Sequence, residues 1–405
     1  MDRPSPPQDP AIDSERSTTA APQASIVAVV AGATGLVGAE LVALLASRPD
    51  CSKVYAVARR SPGHDADNHH HQKQCQSIAC DLLNREVTVS KLSELEDVTH
   101  IFWTTWAVDF PLDSPDCSDM NAKMMANALD ALLPNAPNLK HLTIQTGTRH
   151  YISHKIIMKT GKSLEEKNHR YDEESPRTTD GHCFYYALED MVVPKLLQTQ
   201  VSWSIHRPGL LMGCSTSSLF NVVGCLCVYA SLCKHLSMPF LFCGIPECWE
   251  EPYIDASDAR LVARQHIWAA IDGGDATKGQ PFNAINGQDF TWKEMWPKIA
   301  AKFQLEQPEM SPKSGDGWFS PARSVVETMG DKGEIWAEII ERNGLRKTKV
   351  EEMANWWFLD GLFRMPYKIL TTGEKANRFG FTHTCDTVSS ILYWIDFMRQ
   401  EKLVP

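Results

Sequence analysis

The chain has no basic surplus: its 405 residues carry 40 lysines and arginines against 50 acidic residues, a formal net charge of −10. Nucleic-acid binding, which needs a basic surface, is therefore not expected. Long apolar runs are also missing. The longest, Leu219 to Cys233, has 15 residues and contains Asn221 and Gly224. A membrane-spanning helix needs about 20 residues, so this stretch reads as a buried or interfacial helix and no membrane span is expected. The 12 cysteines are scattered, with no Cys-x-x-Cys spacing. That density is far below a disulfide-stapled domain, and reduced thiols in the cytoplasm are expected. No Gly-x-Ser-x-Gly is present, which removes the nucleophile elbow of the α/β-hydrolases. Residues 1–24 lack the apolar core of a signal peptide, and Asp2, Asp9, Asp13 and Glu15 argue against a transit peptide. With four prolines before position 11 they read as a disordered tail.

What is present is an ordinary globular balance, 43% hydrophobic and 22% charged. The ordered part opens on the apolar run Ile26–Ala31 and passes directly into Gly32-Ala33-Thr34-Gly35-Leu36-Val37-Gly38. Val37, Leu41, Leu44 and Leu45 then fall on one helical face, and Val54–Ala58 follows as a second strand. This is the first βαβ unit of a parallel sheet. Further strands are expected at Ile78–Leu82, Thr99–Trp103, His141–Thr146 and Val201–Ile205, with helices at Met120–Leu133 and Phe184–Leu197. The expected fold class is α/β: a Rossmann-type, doubly wound parallel sheet over 25–210, then a smaller, mostly helical substrate domain over 211–405. Some segments of the second part are expected to return to the first. In it, 219–233 reads as a helix and Phe282–Ile285 as an isolated short strand. Trp292, Met295, Trp296, Ile299 and Phe303 mark an amphipathic helix, and further helices fit near 334–342, 351–363 and 388–401.

Gly32, Gly35 and Gly38 stand between a strand and a helix, where a dinucleotide site needs tight turning and close backbone approach to a pyrophosphate. The helix N-terminus offers unpaired N–H groups to the phosphates. The tip of the second strand distinguishes the cofactors. An NAD enzyme commonly carries a carboxylate there for the ribose hydroxyls. Here Arg59 and Arg60 occupy that place, and guanidinium groups suit a 2′-phosphate, so NADP(H) is the expected cofactor. Asp81 follows the third strand where the adenine edge is expected. His69-His70-His71 has no partners at ligand spacing, and no metal is expected. Cys225, Cys227 and Cys233 lie on the apolar stretch and read as packing residues.

The glycine spacing, Asp81-Leu82 and a later tyrosine resemble an extended short-chain dehydrogenase/reductase. Those enzymes place a lysine four residues after the tyrosine, whereas Tyr185 is followed at that distance by Glu189 and Tyr186 by Asp190. Four segments resolve the difference: Thr104-Thr105-Trp106, Gln145-Thr146-Gly147-x-Arg149-His150-Tyr151, Phe184-Tyr185-Tyr186-x-Leu188-Glu189-Asp190 and Trp203-Ser204-x-His206-Arg207-Pro208-Gly209. Together they resemble the progesterone 5β-reductase/iridoid synthase family of plant enone reductases. Asn221-x-Val223-Gly224, His266-x-Trp268-Ala269-Ala270, Asn283-x-x-Asn286-Gly287 and Trp356-Trp357-Phe358 extend the likeness over roughly 26–405.

The resemblance implies NADPH-dependent 1,4-reduction of a carbon–carbon double bond conjugated to a carbonyl, with a small apolar enone such as a steroid or monoterpenoid as substrate. By position in its motif, Tyr185 takes the role of donor to the carbonyl oxygen. The family usually carries a functional lysine two residues after the glycine of the Gln-Thr-Gly segment, and here that residue is Arg149. By the same carry-over Thr34, Gly35, Leu36, Arg59, Arg60, Asp81, Leu82, Thr105, Trp106 and Gln145 line the cofactor. Leu211, Ser218, Leu219 and Phe220 join them, and the helix beginning near Leu219 forms a wall of the substrate pocket. A second reading rests on Arg149: an NADP(H)-binding protein with weak or lost catalysis. A sugar-nucleotide epimerase is disfavoured because it needs the tyrosine–lysine pair. A homodimer is common in the superfamily.

Overall fold

The computed structural model describes residues 25–60, 74–152, 169–178, 181–307, 317–321 and 323–405. The N-terminal tail and His69-His70-His71 lie outside the described residues.

Strand β1 (Ile26–Ala31) is buried along its whole length, as a strand covered on both faces requires. It sits inside a seven-stranded sheet with β2 (Cys51–Ala58), β3 (Cys75–Ala79), β4 (His100–Trp103), β5 (His141–Gln145), β6 (Ser202–Pro208) and, from much later in the chain, β9 (Gln280–Ala284). The order is β3-β2-β1-β4-β5-β6-β9 and every pairing is parallel. A separate parallel pair joins β7 (Leu210–Met212) to β8 (Ala256–Asp258).

Successive residues of β1 serve opposite layers, as the period of two demands. Val27, Val29 and Ala31 pack with α3 (Pro115–Leu132) and α4 (Phe184–Leu196). Ala28 and Val30 face the other way, onto α1 (Leu36–Ser47) and α6 (Ala259–Ile267). The same core continues into α5 (Val222–Leu236), α7 (Trp292–Lys302), α8 (Gly333–Asn343), α9 (Trp356–Phe363) and α10 (Thr387–Gln400). Six tryptophans (Trp103, Trp249, Trp292, Trp296, Trp336 and Trp394) are among the largest fully buried side chains. Burial of such rings supplies much of the apolar area that holds a layer in place.

Three expectations need correction. The third strand is Cys75–Ala79 rather than Ile78–Leu82. It is the sheet edge, with Gln76 and Ser77 exposed, so no apolar run marks it. The segment near Phe282 is no isolated strand: it pairs with β6 as the seventh strand of the main sheet. The apolar helix starts at Val222, because the Asn221 side chain accepts from the Gly224 N–H and caps it. Val222 to Cys233 are all buried in the core, so this helix is no pocket wall; Ser218, Leu219 and Phe220 belong to the turn before it. Among the described residues no helix is long and apolar enough to cross a membrane.

Candidate active site

Strand order reverses between β1 and β4, and the crevice beyond the carboxyl ends of such strands is where open α/β sheets bind ligands. A cavity of about 550 Å³ lies there, bounded by the segments that follow β1, β4, β5 and β6, by the start of α4, and by α9. Of the residues singled out from the sequence, Gly35, Leu36, Thr105, Trp106, Gln145 and Arg149 line it. So do Tyr185, Leu211, Ser218, Leu219 and Phe220.

Gly32, Thr34 and Gly38 stand beneath that lining. Gly32 has φ +90°, and a Cβ on it would sit 2.9 Å from the Thr104 carbonyl oxygen. A Cβ on Gly38 would approach the Gly32 carbonyl oxygen to 2.0 Å, which no side chain tolerates. The Thr34 carbonyl accepts from the Ser215 and Ser217 hydroxyls at 2.9 and 3.0 Å, tying the glycine turn to the segment after β7. Helix α1 has no side-chain cap at Gly35. Its first N–H groups are therefore available to an anion.

Arg59, Arg60, Asp81 and Leu82 do not line the cavity. Arg59 and Arg60 follow β2 directly and are exposed; Asp81 follows β3 and is exposed, its carboxylate accepting from the Leu83 N–H at 3.1 Å. Leu82 is buried in the core behind it. All four extend the same carboxyl edge of the sheet from β1 outwards, beside the cavity.

A dinucleotide fits this edge. Gly32 and Gly38 keep the turn free of side chains, the uncapped α1 terminus offers donors, and the Gln145 Oε1 is buried without a hydrogen-bond partner. A buried acceptor left unpaired costs about 1–3 kcal/mol, and one that lines a cavity is explained by a ligand donor.

The first turn of α4 carries Phe184 and Tyr185 into the cavity. Trp106 stacks on Phe184 and on Phe220, with ring centroids 5.6 and 5.3 Å apart, which fixes the wall beside the tyrosine. The Tyr185 hydroxyl lies over Gly147: a Cβ there would be 2.7 Å from it. Burial pushes the Tyr185 phenol well above its ordinary range, the Cys183 thiol adds to this, and the Arg149 charge pulls weakly the other way. That shift favours the neutral phenol, whose O–H is able to donate to a carbonyl oxygen.

Glu189, where a short-chain dehydrogenase would carry lysine, faces away from this chemistry. Its carboxylate is buried, 2.7 Å from Arg177, 3.7 Å from Arg207 and 3.5 Å from the His150 Nδ1. Burial alone would raise it; contact with His150 and the two guanidinium groups overrides that and holds it below its ordinary range. Arg207 in turn donates to the Tyr151 hydroxyl, which donates to Asn283 on β9. Tyr186 donates to the His150 carbonyl. The loop bearing Arg149 is thus clamped from behind.

The lining residues that the sequence reading did not place in the site include Trp357 and Phe358 on α9, and Met365 and Tyr367 in the turn after it. Trp357 is 78% exposed, at the mouth of the cavity. The unusual Trp356-Trp357-Phe358 run was the only local signal. Nothing local points to Tyr367. Among the described residues no group of three or more metal-ligating side chains comes together.

The model of the PRISE-like Rossmann-fold domain matches residues 28–388. An (S)-8-oxocitronellyl enol synthase of Camptotheca acuminata is 39% identical over 94% of this chain and 93% of its own. A 3-oxo-Delta(4,5)-steroid 5-beta-reductase of Arabidopsis thaliana is 37% identical, again over 94% and 93%. Among solved structures, the UDP-glucose 4-epimerase of Thermus thermophilus in complex with NAD superposes with a TM-score of 0.60. That match covers 92% of this chain and 99% of the epimerase at 13% identity, a likeness of fold alone.

Proposed function

The chain belongs to the PRISE-like Rossmann-fold family, and from that membership we propose that it is an NADPH-dependent enone 1,4-reductase. Bound NADPH supplies a hydride to the β-carbon of an α,β-unsaturated carbonyl compound. Negative charge then appears on the carbonyl oxygen as an enolate, and a solvent proton at the α-carbon completes the saturated ketone or aldehyde.

The observation that carries this reading is the protonated Tyr185 phenol in the cavity, with a carboxylate rather than a lysine one turn further along α4. Alcohol oxidation needs a phenolate base, and a neighbouring cation is the means of making one. Conjugate reduction needs a neutral donor aimed where charge develops, and that donor acts only in the transition state. The Tyr185 hydroxyl is such a donor. Gly147, having no side chain, leaves room for it. Trp106, Phe220 and Phe358 give the cavity the apolar walls that a steroid or terpenoid enone requires.

Arg59 and Arg60 support NADPH over NADH, since both are exposed at the end of β2, free to hold a 2′-phosphate. Ser218 to Phe220 and Leu211 would close over the nicotinamide end.

The test mixes protein, NADPH and three enones: a small cyclic enone, progesterone and a monoterpene dialdehyde. Loss of NADPH absorbance with an identified saturated product supports the reading. Tyr185→Phe should lower kcat about 10²–10³-fold while NADPH still binds. Reduction of simple ketones with enones left untouched would sink it. A second reading, cofactor binding with little turnover, rests on Arg149; there Arg149→Lys should raise turnover strongly.

A further inference from the structure

Besides the Gln145 Oε1, the side chains of Tyr367 and Arg149 face the cavity with no polar partner among the described residues. Tyr367 lines it from the turn after α9, and among the described residues its hydroxyl makes no hydrogen bond. Arg149 lines it from the loop after β5, and its side chain makes neither a hydrogen bond nor an ion pair among those residues. Among the described residues Asp113 is the one carboxylate that lines the cavity, and no ion pair joins it to Arg149.

The two donors face one cavity of about 550 Å³. Burial raises the Tyr367 phenol and the charge of Arg149 is what lowers it; Arg149 acts in the same sense on Tyr185. A partly buried guanidinium with no counter-ion among the described residues attracts an anion, and a neutral ligand would not supply one. Arginine also differs from lysine in presenting a planar fork that matches the two oxygens of a carboxylate. Tyr367 adds a further donor, an O–H, in the same cavity.

Resting on the enone-reductase reading, we infer that the substrate carries a carboxylate close to its conjugated double bond, held by Arg149 and Tyr367 while Tyr185 serves the carbonyl. The substrate class is then an unsaturated oxo acid. Because Arg149, Tyr367 and Tyr185 line one cavity of about 550 Å³, the acid group sits close to the enone.

A matched pair of small substrates tests this. (E)-4-Oxopent-2-enoate and (E)-3-penten-2-one differ only in carboxylate for methyl at the β-carbon. The ratio of their kcat/KM values should favour the oxo acid by at least about tenfold beyond the ratio of their uncatalysed reactivities towards hydride. Tyr367→Phe should cut that preference about tenfold, mainly through KM for the oxo acid, and Arg149→Leu should abolish it. Binding of the saturated acid, 4-oxopentanoate, to the protein–NADPH complex is measured in parallel by calorimetry. If neither substrate is reduced yet 4-oxopentanoate binds and Tyr367→Phe weakens it, the carboxylate site stands and the reductase reading falls. Reduction of both with no anion preference, or a preference unmoved by Tyr367→Phe, overturns the inference. So does an Arg149→Leu loss equal for both substrates, since the guanidinium would then be serving the shared enolate.

Discussion

Arg149 and His150 are adjacent in the chain and belong to opposite economies of charge. Behind the loop, the buried His150, Glu189 and Arg207 and the exposed Arg177 form a cluster in which each charge meets an opposite one, or a polar atom, from another element. In front of it, Arg149, Tyr367 and the Gln145 Oε1 face a cavity and have no such partner among the described residues. Satisfied polar groups hold the fold; unsatisfied ones have been left for something that arrives later. Even the cluster behind is imperfect. The His150 Nδ1, the Glu189 Oε1 and the Arg207 Nε lack true hydrogen bonds, the 3.5 Å contact of the first two being too long for one. Arg177 nevertheless donates to the Glu189 Oε2 at 2.7 Å, and longer-range ionic attraction joins Arg207 to the same carboxylate.

The largest effect should come from breaking the rear cluster. Glu189→Ala removes the anion shared by Arg177 and Arg207, and Arg207 is only 4% exposed. Leaving that guanidinium buried and uncompensated should cost about 3–5 kcal/mol, measured as the shift in a urea unfolding midpoint. A loss below about 1 kcal/mol would mean the cluster is wetter than its burial implies.

Much of this division was hidden in the sequence. The glycine turn and β1 are local signals, and a run of six apolar residues before three spaced glycines reads directly as strand, turn and helix. Tyr185 and Arg149 were legible through their surrounding motifs. The partners of Glu189 come from positions 150, 177 and 207, on three separate elements, and no spacing rule joins them. The far wall of the cavity, with Tyr367, is brought in by the chain some 180 residues after Tyr185. Edge strand β3 was misplaced for a different reason: a strand half in water need not be apolar.

A second, smaller effect follows from buried histidines across the sheet. His100 and His141 are paired in register on β4 and β5; Ser204 bridges His141 to His206 on β6. Burial lowers His100 to about 4, His141 to about 3 and His206 to about 4. Each is neutral in the folded chain and titrates near 6.5 when unfolded. Between pH 6.5 and about 4 the unfolded chain therefore binds more protons, so stability falls as pH falls through that window. Asp255 runs the other way: burial pushes it up to about 6, so its contribution grows as pH drops below that value and offsets part of one histidine. Urea unfolding at pH 7.0, 6.0 and 5.0 should show a steep acid loss, and His206→Gln should flatten its slope. A pH-independent midpoint over that range would mean that the histidines are already solvated.

On the cofactor side, Arg59→Ala should raise the KM for NADPH about tenfold or more and leave that for NADH nearly unmoved, because only the former carries a 2′-phosphate. Equal changes for both would assign Arg59 to the fold rather than to the nucleotide.

The smallest effect on stability should come from Arg149 itself, and that smallness sharpens the contrast with Glu189 most directly. Arg149→Leu removes a charge that no described residue neutralises, and its replacement is apolar in an apolar cavity. The change in unfolding free energy should lie within about 0.5 kcal/mol of zero or be stabilising, the usual pattern where a site is kept strained for its ligand. Two neighbours on one loop would then differ in what they support: removing the cluster around His150 unfolds the protein, and removing Arg149 disarms it. Should Arg149→Leu destabilise by about 2 kcal/mol or more, the guanidinium has a structural partner and the front of the loop is not a ligand site.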